Sequence, residues 1–456
     1  MTVINLATDE IPRKWYNILT DLGGVPPPKG KKALGKLQQY GIKECLKQEF
    51  SDQRYILIPP ELLKKYEQVG RPRPLVRAER LERALKLPED KIRLYFKRED
   101  LSPTGSHKVN TAIAQAYFAA QEGKEILVTE TGAGQWGSAL AYGAMLNDLD
   151  SRLFWVRSVY NWKPDRRAFM ESMGAEVWAS PSKMTKIGRK LLKQNPVHPG
   201  SLSIAIAEGI ENTMDNLPKS VYSLGSVLNH VLMHQTIIGQ EAIRQFEKVD
   251  DYPDAVISCL GGGSNYGGLM IPFAGQVLRG ENEKEIEFIA AQSEVAPNLS
   301  KGIYRYDYAD HGEQTPKLKM LTLGHQAEME PIKGDGLRYH AAAPIISKLR
   351  ADKKMVKTVV YPQDEKLVFE GALMLWQKEG VLAASETAYS VRCAIDEALQ
   401  AKKEFNSGKI DEKVILFNLS GHGFYDLVGY KEVLGDRMNK KVSLEDLERG
   451  FAPIPI

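Results

Sequence analysis

The sequence predicts an α/β protein of two domains, each a twisted, mostly parallel sheet covered by helices. Three observations predict it. From about residue 92 onward, short apolar runs alternate with segments of helical length and period. That alternation demands crossover helices, and crossovers make neighbouring strands parallel. Two of the apolar runs end in glycine-rich turns, Thr131-Gly132-Ala133-Gly134 and Gly261-Gly262-Gly263, each leading directly into a helical pattern. In open α/β sheets, ligands bind at that edge of the strands.

The strand candidates, in order, are residues 94–97, 126–130, 153–157, 177–179, 255–260, 286–292 and 414–419. Helical periodicity marks 107–121, 135–147, 165–173, 183–194, 230–247, 265–276, 365–378 and 386–401. Residues 1–85 read as an N-terminal extension packing on the core, with an exposed turn at Pro26-Pro27-Pro28 and a short helix starting at Pro59-Pro60. Residues 86–228 form the first α/β domain, with a mobile subdomain, and 229–456 the second. The stretch 297–343 breaks the rhythm. It is polar, rich in Gly and Tyr and without clear period, as a functional loop would be.

At 456 residues the chain can bury a large core, and 43% apolar with 26% charged residues is ordinary for a globular protein. A net charge of +3, with no basic stripe, gives no footprint for nucleic acid. Cys45, Cys259 and Cys393 are isolated, which fits a reducing compartment, and Cys259 reads as core packing. No signal segment or membrane-length apolar run is present, so a cytoplasmic location is expected. His230 and His234 stand four apart on a helix, but no third ligand is evident, so packing is favoured over zinc and no metal site is expected.

Four elements carry chemistry. The first is Gly105-Ser106-His107-Lys108, a polar turn running into the helix whose apolar face is Val109, Ile113, Tyr117 and Ala120. A lysine held at a helix N-terminus is biased toward its neutral, nucleophilic form, as a Schiff-base lysine requires. Alone, it would read better as a surface lysine. The second is Glu130 with the turn Thr131 to Gln135, whose free N–H groups suit a carboxylate. A plain strand–turn–helix corner explains the glycines but not a glutamate at the strand's end. The third is Gly261-Gly262-Gly263-Ser264-Asn265, a cradle for one phosphate. Tyr266 stands where a dinucleotide fingerprint needs its third glycine, and no Gly-Lys-Ser/Thr is present. The fourth is Ser420 in Asn418-Leu419-Ser420-Gly421, where one hydroxyl can meet a bound ring. It lacks a hydrolase elbow, and a serine merely ending a strand is as good a reading.

Taken in order, these elements resemble the tryptophan synthase beta chain family, fold type II pyridoxal-phosphate enzymes with the cofactor in the cleft between two domains. The resemblance runs from Gly70-Arg71-Pro72-Arg73-Pro74-Leu75 to about Asp426. It implies Lys108 as the Schiff-base lysine and Glu130 as the carboxylate that assists indole. Thr131, Gly132, Ala133, Gly134 and Gln135 would hold the substrate carboxylate, Gly261 to Asn265 the phosphate, and Ser420 the pyridine nitrogen. His107 would stack on the cofactor, and Glu386, in Gly380-Val381-Leu382-Ala383-Ala384-Ser385-Glu386, would lie near it. Pyridoxal 5′-phosphate is the implied cofactor, with a monovalent cation as an optional second, and a homodimer is the implied assembly.

The departures are similar to the family's second type. Trp136 replaces a histidine, Arg338 stands in place of an aspartate, and Tyr160 to Arg167 is shorter than the segment used against an alpha partner. An alpha subunit is therefore expected to bind weakly, transiently or not at all. Arg338 has two readings: an anchor for an anionic group on the substrate, or a salt bridge to Asp335.

The chemistry that follows is β-replacement. Lys108 removes the α-proton of serine, the β-hydroxyl leaves, indole C3 attacks, and Glu130 takes up the ring proton. A neutral Ser420 beside the ring nitrogen favours elimination and replacement over transamination. The alternatives are a serine or threonine dehydratase, and β-replacement with another donor such as a phosphorylated serine. A catalytically silent regulatory subunit would not need Lys108, Glu130 and Ser420 together. Tyr266 and Lys108 speak against a nicotinamide-dependent oxidoreductase.

Overall fold

The computed structural model describes residues 2–450 apart from 283 and 311, together with 454–455. Two sheets organise it. The larger has eight strands, in the order Val3–Ile4, Leu75–Arg77, Ile92–Arg98, Lys413–Leu419, Ala255–Cys259, Glu287–Ser293, Val356–Tyr361 and Ile454–Pro455. Its central strands run parallel, and antiparallel strands close both edges. The smaller sheet, Glu176–Ser180, Asp150–Val156, Ile126–Thr131 and Ser220–Tyr222, is parallel throughout. Every residue of Ile126–Thr131 and of Ala255–Cys259 is buried, as expected for strands covered on both faces.

The sheets divide the chain differently from the linear division expected. Ile92–Arg98, read as the start of the first α/β unit, pairs along its whole length with Lys413–Leu419 in the large sheet. Val3–Ile4 and Leu75–Arg77, read as an extension, are strands of that same sheet. The chain thus begins the large sheet, leaves it to build the small one from residues 126–222, and returns. Hydrogen bonding and burial of both faces choose a strand's neighbour, and proximity in sequence does not.

Other differences are local. The single helix expected at 230–247 is two, Asn229–Gln235 and Ile237–Glu247, with Thr236 between them. There the Thr236 hydroxyl donates to the Met233 carbonyl and accepts the Tyr16 N–H at 3.1 Å. The strands Ser220–Tyr222 and Val356–Tyr361 and the helices Leu202–Asp215 and Pro344–Ala351 have no counterpart in the sequence reading. The stretch 297–343 contains an antiparallel hairpin, Ile303–Asp307 with Leu318–Thr322.

A buried ion network anchors the helix Val109–Gln121, which follows Lys108. Arg71 meets Glu99 at 2.8 Å and Glu241 at 2.6 Å, Arg73 meets Glu99 at 2.6 Å, and Lys97 meets Glu241 at 2.8 Å. Asn110, in the helix's first turn, donates to Glu99 at 3.1 Å and accepts from Arg71 at 3.1 Å. His230 and His234 are buried packing residues: His230 Nδ1 lies 2.8 Å from Glu49, and His234 bonds Gln48 and Thr111 at 2.7 and 3.0 Å. Among the described residues no helix is long and apolar enough to cross a membrane.

Candidate active site

One pocket lies where the strand ends of the two sheets face each other. Its lining gathers His107, Lys108, Glu130, Thr131, Gly132, Ala133, Gln135, Gly261 to Asn265, Arg338, Glu386 and Ser420. Gly134 is the exception among the expected residues. It caps the helix Gln135–Met145 at φ 89°, and a Cβ there would meet Arg166 and Trp155 rather than the pocket.

The loop bearing Lys108 is docked onto the end of Lys413–Leu419. The His107 N–H donates to the Ser420 carbonyl at 2.9 Å, and the His107 ring reaches Ser264 Oγ at 3.3 Å. Burial pushes the His107 imidazole down to about 3, so it is neutral. Burial likewise lowers the Lys108 amine below its ordinary range, against the pull of Glu386, Cys259 and Glu130. Lys108 also stands at the start of the helix Val109–Gln121, as the sequence predicts. The amine makes no hydrogen bond among the described residues.

Glu130 is the last residue but one of the strand Ile126–Thr131, and burial raises its carboxyl to about 7. Its Oε2 accepts the hydroxyl of Tyr222. Behind it, Trp136 Nε1 donates to Thr129 Oγ1 at 2.8 Å. Thr131 Oγ1 accepts the Gly137 N–H at 3.2 Å, so this hydroxyl caps the helix.

On the opposite wall, Gly263 at φ 114° turns the chain from Ala255–Cys259 into the helix Ser264–Arg279. A Cβ on Gly262 would lie 2.3 Å from Ser226 Oγ, a buried hydroxyl with no hydrogen-bond partner among the described residues. The Asn265 amide braces the turn, donating to Ser258 at 2.6 Å and accepting from Asn418 at 2.6 Å. Ser420 Oγ sits 2.6 Å from Thr387 Oγ1 and 3.9 Å from Cys259 Sγ. Cys259, read as core, is buried yet lines the pocket. Glu386 bridges two pocket segments, accepting Gln135 Nε2 at 2.8 Å and the Gly336 N–H at 2.9 Å. Arg338 is engaged by Asp335 at 3.0 Å and the Met329 carbonyl at 2.8 Å, the salt-bridge reading of this residue.

Tyr222, Ser226 and Thr387 escaped the sequence reading. Gly225-Ser226, a small polar pair, was a usable signal; Tyr222 and Thr387 look like ordinary strand and helix residues.

A family model described as pyridoxal-phosphate dependent enzyme matches residues 66–421, so the chain belongs to the pyridoxal-phosphate-dependent enzymes. It is 50% identical over 455 residues to tryptophan synthase beta chain 2 of Pyrococcus furiosus, covering 98% of this chain and 97% of that one. The chain belongs, within that class, to the tryptophan synthase beta chains. Beta chain 2 of Thermococcus kodakarensis is 49% identical, with 98% of each chain covered, and that of Methanosarcina mazei 47%, covering 94% of this chain and 95% of the other. A fungal L-serine ammonia-lyase from Rhizomucor miehei shares the fold at a TM-score of 0.57 and 14% identity, covering 81% of this chain and 98% of that chain.

The residues fit the cofactor of this class. The turn at Gly261 to Ser264 opens a long helix beside the Ser226 hydroxyl, which has no partner among the described residues, an arrangement suited to a phosphate. The Lys108 amine and Ser420 hydroxyl face the same pocket.

Proposed function

We propose that this chain joins L-serine and indole to give L-tryptophan and water. The observation that carries the reading is the convergence of Lys108, Glu130 and Ser420 on one pocket with an apolar wall on the Glu130 side. Leu37 and Ile206 line that wall and belong to the same core cluster as Tyr222, whose hydroxyl bonds Glu130. A flat apolar nucleophile with one N–H fits such a wall.

Lys108 would hold the cofactor covalently, Gly261 to Ser264 and Ser226 its phosphate, and Ser420 its ring nitrogen. When bound, the cofactor supplies an electron sink for charge at the serine α-carbon. Lys108, whose amine burial biases toward the neutral form, takes the α-proton. The turn after Glu130 orients the substrate carboxylate through backbone N–H groups. Glu130, ionising near neutrality, then receives the indole ring proton as C3 attacks. Ser420, fixed by Thr387, is a neutral partner that keeps the ring from full protonation. Burial excludes water, which would otherwise compete with indole.

The same reading places the protein in the cytoplasm, supported by three buried free cysteines, and makes it a homodimer. Exposed Phe424, Leu427 and Val428, just beyond Ser420, support an apolar contact between copies.

Glu130→Gln tests the reading. Serine should still change the cofactor's visible spectrum, while tryptophan formation should fall by roughly two to four orders of magnitude. Release of pyruvate and ammonia as the only products, with indole present and Glu130 intact, would make the chain a dehydratase instead.

A further inference from the structure

Resting on that reading of Glu130, we propose that Tyr222 is a positioning residue for the indole step: its hydroxyl clamps the Glu130 carboxylate in the orientation and charge state that proton uptake requires. Tyr222 ends the strand Ser220–Tyr222 and pairs in register with Val128, two residues before Glu130. Side chains two apart on a strand share a face, so the tyrosine ring lies along the path of the Glu130 side chain. The ring cannot swing away. Gly209, on the helix Leu202–Asp215, approaches so closely that a Cβ there would sit 2.7 Å from Tyr222 Cε2. Tyr40 meets the ring edge-on at 5.9 Å.

Proton bookkeeping singles out the tyrosine. Two hydroxyls approach Glu130 Oε2: Tyr222 in close contact and Thr129 at 3.3 Å. Thr129 has one proton, and the Ser223 carbonyl takes it at 2.5 Å, while its lone pair accepts Trp136 Nε1. Tyr222 is therefore the firm donor to Oε2. No other side chain among the described residues donates to Oε1, which is left for the substrate.

The other groups facing this pair are Lys108 and Tyr339 toward Glu130, and Tyr40 and Asp310 toward Tyr222. Burial, then Glu130, holds the Tyr222 hydroxyl well above its ordinary range, so it stays a donor at every working pH. Burial raises the Glu130 carboxyl, and the Tyr222 hydrogen bond is the largest influence opposing that rise. Removing the hydroxyl should therefore raise it further.

Tyr222→Phe keeps the ring that Gly209 and Tyr40 pack against and deletes only the donor. The acid limb of the rate of tryptophan formation, at saturating serine and indole, should move up by about one unit. That is about a tenfold loss on the acid side, recovered at alkaline pH. The carboxyl infrared band assigned by Glu130→Gln subtraction should titrate at correspondingly higher pH, in cofactor-free protein as well. The serine-dependent spectral change should be unaltered, and 3-fluorotyrosine at position 222, which restores a hydroxyl, should return the limb to at least its wild-type position. A wild-type limb and band in Tyr222→Phe, alongside a disabled Glu130→Gln, would overturn the role of Tyr222 alone. So would loss of the serine-dependent change, which would make Tyr222 a packing residue. An active Glu130→Gln would overturn the underlying reading of Glu130 first.

Discussion

Lys163 and Asp426 tie the helices beside the small sheet to the helix that carries Glu386. Lys163 Nζ donates to Asp426 Oδ1 at 3.0 Å, with side chains 2% and 0% exposed, so solvent screening does not weaken the pair. The other carboxylate oxygen accepts the Ser385 N–H at 3.0 Å, at the start of the helix Ser385–Asn406. Lys163→Met leaves a buried carboxylate short of its main counter-charge, and Asp426→Asn leaves a buried ammonium unpaired. Each should cost about 3–5 kcal/mol. The double variant holds neither charge and should cost less than either single one, giving a coupling of about 3 kcal/mol. Burial pushes the Asp426 carboxyl up, but Lys163 and then Arg166 outweigh it and hold it below its ordinary 3.8. The stabilisation from this depressed group is complete above 3.8 and disappears as pH falls through the lower folded value. The gap between wild type and Lys163→Met should thus be widest at neutral pH and close in acid. Urea unfolding of cofactor-free protein, for all four chains across that range, measures both effects. Additive single costs at neutral pH would refute the reasoning.

Lys108→Ala should lose turnover and the borohydride-trapped cofactor adduct seen by mass spectrometry, with an unchanged circular dichroism spectrum, because only the covalent anchor goes. Gly261→Ala would put a Cβ 2.3 Å from the Gly336 carbonyl oxygen, forcing apart two pocket walls. An overpacking cost of about 1–3 kcal/mol predicts cofactor binding weakened by roughly tenfold or more, read by equilibrium dialysis. His107 falls from 6.5 unfolded to about 3 folded through burial, so between those values only the unfolded chain takes up the proton. Stability should therefore fall as pH drops below 6.5, and His107→Gln should lessen that acid sensitivity in thermal melts.

The alternation of apolar runs and helical periods determined the α/β class without any tertiary information, because burial on both faces writes itself into each strand locally. The motifs around Lys108, Glu130, Gly261 to Asn265 and Ser420 were legible for a similar reason. Each is a strand end or turn whose glycines and polar residues serve no core. What only the tertiary structure decided is which strands pair and what environment each group meets. Ile92–Arg98 reaches across more than three hundred residues to Lys413–Leu419, a choice no local pattern records. Tyr222 and Ser226 became site residues only when the small sheet and the helix Leu202–Asp215 brought them to Glu130 and Gly262. Arg338 could have faced an anion or Asp335, and the fold chose Asp335. The lowered lysine and raised glutamate follow from burial, and burial is a property of the folded chain as a whole.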